Sequence, residues 1–175
     1  TILASNLPGG RGTGEPLRLM VDLPNDSEII NIHKFNQENK LIVASTAGDG
    51  LVGPMDEVLA QTRNGKQVLN VKGSVKAAAS KIVTGDYVAT VGDNRKVLIF
   101  DLEELPIMQR GKGVRLQKYK DGGLSDVTTF SYEKGLSWLD PAGRTRTEKE
   151  LDEWKSKRAS AGKMAPRGFP RENKF

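Results

Sequence analysis

The chain has 175 residues, 37% of them hydrophobic and only 6% aromatic, with a formal net charge of +5. That length allows one domain, with a core that has to rely on Val, Ile and Leu rather than on rings. Cysteine is absent, which excludes disulfides and thiolate metal sites, and no apolar run reaches the roughly 18 residues that would span a membrane.

Nineteen glycines and eight prolines cut the sequence into short segments, favouring strands and turns over long helices. No secretory leader is recognisable, so a cytoplasmic location is expected. The chain opens at Thr1 in mid-pattern, as expected of a piece of something longer. From Ala142 onward ten basic residues face five acidic ones, whereas the preceding residues carry 17 of each. The basic balance that suggests a polyanionic partner therefore describes the tail. If the body binds such a partner, its charges must be segregated by face.

Taken in chain order, Leu17 to Leu23 alternates apolar and polar residues, the period of a half-buried strand. Residues 29–35, which include His33, also read as a strand. Lys40 to Ser45, Tyr87 to Val91 and Leu136 to Leu139 occupy equivalent places, each before a turn, and Lys96 to Phe100 is continuous enough to be a central strand. Shorter strands are expected at Val68 to Lys72 and Val114 to Tyr119. On the latter, Val114 and Leu116 face one side, and Arg115, Gln117 and Tyr119 the other. Only Thr147 to Ala159 reads as a helix, capped by Thr147 with Glu150 at the capping-box position and Leu151 and Trp154 on one face. Beyond Gly162 an extended or flexible basic tail is expected.

A repeat runs through these elements. Gly12, Gly65, Gly111 and Gly162 sit in boxes with basic neighbours, at steps of 53, 46 and 51 residues. The acidic pairs Asp56-Glu57, Glu103-Glu104 and Asp152-Glu153 keep step, their second acids preceding the box glycines by 8, 7 and 9 residues. The fourth box is degenerate. Several short strands per unit of about 40–50 residues is the arithmetic of propeller-like blades. The expected fold is all-β, blades of antiparallel strands in a partial ring over residues 1–146, with the short helix and tail over 147–175.

A glycine turn with Arg or Lys brings amides and cations to an oxyanion. The box after Arg110 leads into a strand, and no Gly-Lys-Ser/Thr occurs, which argues against a nucleotide fold. A single box reads as a solvated hairpin turn; recurrence at blade spacing would line several along one rim, suited to a curved polyanion. With one histidine and no cysteine, neither a zinc site nor a Ser-His-Asp triad can be assembled. The acid pairs read as structural, and no catalytic or metal-ligating residue is expected. The alternative of another class is a propeller-type protein-interaction scaffold.

The segment Arg110-Gly-Lys-Gly-Val-Arg-Leu-Gln-Lys-Tyr-Lys-Asp-Gly-Gly-Leu-Ser-Asp126 resembles a blade motif of topoisomerase IV A subunits, in the type IIA topoisomerase family. So do Leu7 to Pro16 and Gln61 to Lys72, and the ending Pro166 to Phe175 resembles the C-terminus of such a subunit in some bacteria. The resemblance implies a β-pinwheel whose basic rim binds and bends duplex DNA, presenting it for strand passage in decatenation and supercoil relaxation. The related gyrase A wrapping domain is the alternative, though no Gln-Arg-Arg-Gly-Gly-Lys-Gly box is present. Matched by motif, the expected DNA contacts are Arg11, Arg63, Lys66, Lys72, Arg110, Lys112, Arg115, Lys118 and Lys120. Thr13 and Gln67 stand where a cation or glycine would fit better, so the first two boxes are expected to bind weakly. Tyr87, Tyr119 and Tyr132 lack the neighbouring Arg and Thr of the family's cleavage tyrosine, so no strand cleavage is expected here. The implied whole enzyme uses ATP and Mg2+ through other domains and pairs with a B subunit through its N-terminal part. A monomeric fragment in the cytoplasm is implied, associated with the nucleoid and, within the whole enzyme, peripherally with the membrane.

Overall fold

The computed structural model describes residues 1–175. Its strands are β1 (Lys40–Ser45), β2 (Asp49–Pro54), β3 (Ala77–Ile82), β4 (Tyr87–Gly92), β5 (Lys96–Asp101), β6 (Val114–Arg115), β7 (Leu124–Phe130), β8 (Leu136–Leu139), β9 (Thr145–Glu148) and β10 (Lys163–Met164). One short helix, α1 (Met55–Val58), follows β2. No helix is long and apolar enough to cross a membrane.

Three antiparallel hairpins repeat: β1–β2, β4–β5 and β8–β9. Each has the same five-residue connection, between the pairs Ala44↔Gly50, Val91↔Val97 and Leu139↔Thr145. The first two grow into four-stranded sheets ordered β3-β1-β2-β6 and β10-β5-β4-β7, and the third stays two-stranded. The closing strand of each full sheet comes from further along the chain. β6 follows β5 in sequence but pairs with β2, and β10 follows β9 but pairs with β5. Neighbouring blades are therefore interlocked, as expected of a propeller-like, all-β chain.

The continuous apolar run in β5 has a direct cause. Leu98 and Phe100 lie in one core with Ile42, Val52, Val88 and Leu116. Val97 and Ile99 lie in a second with Leu136, Trp138, Leu151 and Trp154. A strand with both faces buried has no polar side to show. Each fully buried side chain of this size contributes about 1.5–3 kcal/mol.

Several expected elements form differently. Leu17 to Leu23 is not a strand: Leu17–Leu19 makes one 3-10 turn and Leu19 is 74% exposed. Alternation alone gives a strand nothing to pair with. Residues 29–35 form no ladder either, because side chains take up the neighbouring groups of β3. Asn31 Nδ2 donates to the Ser80 carbonyl at 2.7 Å, and the His33 ring lies 3.0 Å from Ser80 Oγ. Val68 to Lys72 makes only an isolated bridge at Leu69, and the strand from Val114 stops at Arg115.

The helix expected over 147–159 is also absent. Thr147 belongs to β9, and only one turn forms at Leu151, which accepts from the amides of Trp154 and Lys155. The Trp154 carbonyl and Ser156 amide are then taken by Ile99 of β5, leaving no groups to propagate a helix. Leu151 and Trp154 are buried as the pattern suggested, but through a turn. The boundary placed between 146 and 147 falls inside β9.

The tail expected to be flexible is packed down. Phe169 is buried, 5.4 Å from the Trp138 ring and 5.3 Å from Phe175. Arg95 donates to the carbonyls of Phe169 and Pro170 and to Asn173 Oδ1, and the Phe175 amide donates to Asp126 Oδ2.

Candidate nucleic-acid interface

The geometry re-registers the glycine repeat. Gly14, Gly65, Gly113 and Gly162 share one backbone state, with φ of 76°, 81°, 79° and 76°. They recur at steps of 51, 48 and 49 residues. A Cβ at Gly113 would lie 2.1 Å from the Gly50 carbonyl oxygen, and one at Gly162 would lie 2.5 Å from that of Val97. Gly50 and Val97 are the second residues of the equivalent strands β2 and β5, so Gly113 and Gly162 are structural counterparts. Glycine is required there by its left-handed φ and by close backbone approach together. The landmark glycines chosen from sequence, Gly12 and Gly111, lie two residues before the true ones.

The boxes are hydrogen-bonded in series. The Gly111 amide donates to the Val68 carbonyl and the Asn70 amide to the Gly111 carbonyl; likewise Ala159 donates to Leu116 and Lys118 to Ser160. Val68, Asn70 and the Gly111 amide recur 48 positions later as Leu116, Lys118 and the Ala159 amide, while the accepting carbonyl moves 49, from Gly111 to Ser160. One ribbon thus carries segments 68–72, 110–120 and 158–163 across the blades.

Along this ribbon the expected contact residues differ in what holds them. Asp49, buried at the start of β2, faces two cations: Arg115 Nε at 3.1 Å and Lys112 Nζ at 3.4 Å. Arg115 also donates to the Ala47 carbonyl. One acid against two cations leaves the cluster positive. Arg110, Lys118, Lys120 and Lys72 are exposed and make no ion pair. Arg63 is paired with Asp22 at 3.0 Å, and Lys66 donates to the Glu57 carbonyl, so the second box is partly engaged internally. Arg11 lies on an exposed loop whose Gly9, Gly10, Gly12 and Gly14 have open space around them. It is not brought to the ribbon by any contact.

The strand reading put Gln117 on the cationic face, and the structure buries it completely. The chain leaves the ladder after Arg115, so Leu116 and Gln117 both turn inward. Gln117 Oε1 accepts from Thr90 Oγ1 at 2.9 Å and from Tyr119 Oη at 3.2 Å; its Nε2 donates to the carbonyls of Lys96 and Ala161. Tyr119 is wedged between the first two hairpin turns: a Cβ at Gly48 or Gly92 would lie 2.5 Å from opposite edges of its ring. Burial raises the Tyr119 phenol well above its ordinary range, against the opposing pull of Arg115, which keeps it a proton donor. Lys118 and Lys120, on either side of Tyr119 in sequence, are exposed.

Asp49, Gln117 and Arg158 are site residues that the sequence reading missed. Arg158 ties the next segment to the ribbon, its amide donating to Glu104 Oε2 and its Nη1 to the Arg115 carbonyl. No signal in the residues pointed to Gln117, since apolar and polar positions alternate from Val114 through it. No group of three or more His, Asp or Glu side chains is placed to hold a metal ion.

A family model for the DNA gyrase C-terminal domain, described as a β-propeller, matches residues 86–127. This stretch holds β4 to β6, the Arg110 box and the first half of β7. Over its whole length the chain is 47% identical to the A subunit of DNA topoisomerase 4 from Caulobacter vibrioides and 42% identical to that from Rickettsia bellii, covering 23% and 24% of those proteins. It thus spans about a quarter of the length of these relatives. The solved E. coli ParC C-terminal domain superposes with a TM-score of 0.77 at 23% identity, covering 94% of this chain and 71% of that one. A gyrase A C-terminal domain gives 0.68 at 16% identity, covering 91% of this chain and 55% of that one. At those identities the structural likeness speaks for the fold.

Proposed function

From its membership of the family of C-terminal β-propeller domains found in the A subunits of topoisomerase IV and gyrase, we propose that this chain binds duplex DNA without sequence preference and bends it along the box ribbon. The reading is carried by one observation: successive boxes hydrogen-bond to one another, so cations far apart in sequence lie along one track. Contacts from Lys and Arg to phosphate hold and orient a duplex without reading bases. Smoothly bending 20–30 bp costs about 1–6 kcal/mol, so several boxes have to act together. Arg110, Lys112, Arg115, Lys118, Lys120 and Lys72 are the principal contacts in this proposal. Arg63, Lys66 and Arg11 are secondary: Asp22 neutralises Arg63 one to one, whereas Asp49 leaves one net charge on Lys112 and Arg115, and Lys66 and Arg11 lie outside the hydrogen-bonded segments of the ribbon.

Within the whole protein the bent duplex is presented for strand passage, in decatenation and supercoil relaxation. Topoisomerase IV is favoured over gyrase because the relatives matched over the full chain at 38–47% identity carry the topoisomerase 4 name. Strand cleavage, ATP and Mg2+ chemistry, and pairing with a B subunit fall in this proposal to parts of the protein outside this chain.

A salt titration of binding to a mixed-sequence duplex tests the reading. Affinity is expected to fall steeply with salt, with a log–log slope of about −0.9 per phosphate contact. Arg110→Glu with Lys112→Glu should flatten that slope by about 2 contacts. A flat salt response in the unaltered chain would instead favour the protein-interaction scaffold.

A further inference from the structure

The arrangement around Asp49 has a counterpart on the third blade, where no box strand is present. Asp140 opens the five-residue connection between β8 and β9, as Asp49 closes that between β1 and β2. Both carboxylates are buried, with side chains 7% and 6% exposed. Asp140 Oδ1 accepts from the amides of Ala142 and Arg144, each at 2.9 Å. Its Oδ2 accepts from Arg144 Nε at 3.2 Å and Arg146 Nε at 3.1 Å. Because each arginine is held through Nε, its two terminal NH2 groups remain available. The side chains of Arg144 and Arg146 are 70% and 55% exposed. Asp140 and Arg146 line a shallow cavity with Trp138, Glu148 and Arg167, while Arg144 lies outside it.

We propose that Arg144 and Arg146, fixed by Asp140, form a further duplex-DNA phosphate contact that extends the cationic track onto the third blade. The inference rests on the DNA-binding reading above and deepens it. In both clusters one buried carboxylate holds two exposed cations at the turn end of a blade hairpin, leaving one net positive charge. On the first blade the cations arrive on the returning box strand; on the third, the hairpin supplies both itself. A guanidinium held at Nε presents its terminal donors as a fork that suits two phosphate oxygens. Fixing the side chains beforehand lowers the ordering cost of binding. A purely structural Asp140 turn is satisfied by the two backbone amides and does not require either guanidinium to be exposed.

The test is duplex binding by the whole chain as salt is varied, with Arg144→Gln/Arg146→Gln, which keeps polar side chains beside Asp140 but removes the charge. The expected result is about 3- to 10-fold weaker binding near 0.1 M salt and a slope reduced by about 2 contacts. Arg146→Gln alone leaves Arg144 on Asp140 and should reduce the slope by about 1; it serves if the double variant does not fold. The control is Lys40→Gln/Lys134→Gln, two exposed lysines at the opposite ends of their hairpins, expected to stay within about 2-fold of the unaltered chain. Equal weakening by the control pair would overturn the proposal, since the effect would then be diffuse charge. Unchanged binding in the Arg144/Arg146 variants beside a loss with Arg110→Gln/Lys112→Gln would overturn this contact alone. Unchanged binding in all of them would overturn the DNA-binding reading as well.

Discussion

Thr90 Oγ1 donates to Gln117 Oε1 at 2.9 Å across a fully buried contact, joining β4 of the second blade to the strand that has just closed the first. With Lys96, Ala161 and Tyr119 completing its bonds, Gln117 joins the second blade, the next box and the cationic ribbon through one amide. Buried polar networks of this kind are costly when only partly satisfied.

Gln117→Leu should therefore destabilise the chain although it adds apolar volume. The groups left unpaired at Thr90, Lys96, Ala161 and Tyr119 cost about 1–3 kcal/mol each where water cannot reach them. A loss of about 3 kcal/mol or more, read as a lower urea midpoint at unchanged m-value, is expected. A change within about 0.5 kcal/mol would mean that the network is not formed.

Gly113→Ala and Gly12→Ala contrast a glycine held against backbone with a landmark glycine on an open loop. At Gly113 the left-handed φ and the Gly50 carbonyl both oppose a side chain. The backbone term alone is about 1–2 kcal/mol. Gly12 has open space around it, so its substitution should leave the melting temperature within about 1–2 °C. Thermal melts of the two variants check the ordering.

Removing the Arg95 guanidinium should release the tail. Arg95→Ala loses its bonds to Phe169, Pro170 and Asn173, and Arg95→Lys, with a single point of donation, should restore little. Limited proteolysis with trypsin is expected to cut at Arg167 or Arg171 in both variants well before it cuts the unaltered chain.

Acid should weaken the third hairpin through Asp140. The Arg144 amide, with the Arg146 guanidinium and the Ala142 amide behind it, holds this carboxyl below the ordinary aspartate value, against the opposing effect of burial. A depressed folded-state pKa gives stability that is present above the unfolded value of 3.8 and lost as pH falls through the folded one. Between about pH 5 and pH 2 the unaltered chain should lose more stability than Asp140→Asn. Parallel pH titrations of the two melting temperatures would refute the assignment.

Strand class, the leading strand of each hairpin (β1, β4 and β8) and the recurrence of glycine boxes with cations were legible in the residues, because they rest on local alternation and turn chemistry; the return strands β2 and β9 were not. The run from Lys96 to Phe100 announced a strand buried on both faces for the same reason. What the sequence alone left open depends on atoms distant along the chain. Gly113 rather than Gly111 is the repeat position because the Gly50 carbonyl lies against it. Residues 147–159 do not form a helix because Ile99 takes the backbone groups of Trp154 and Ser156. Gln117 turns inward because its partners wait on β4, β5 and the next box. The basic tail is ordered because Arg95, 75 residues before Pro170, supplies the donors for its carbonyls. Local periodicity encodes which segments can be strands. Which backbone groups remain free to pair is decided only when the blades interlock, since each closing strand completes the blade before its own.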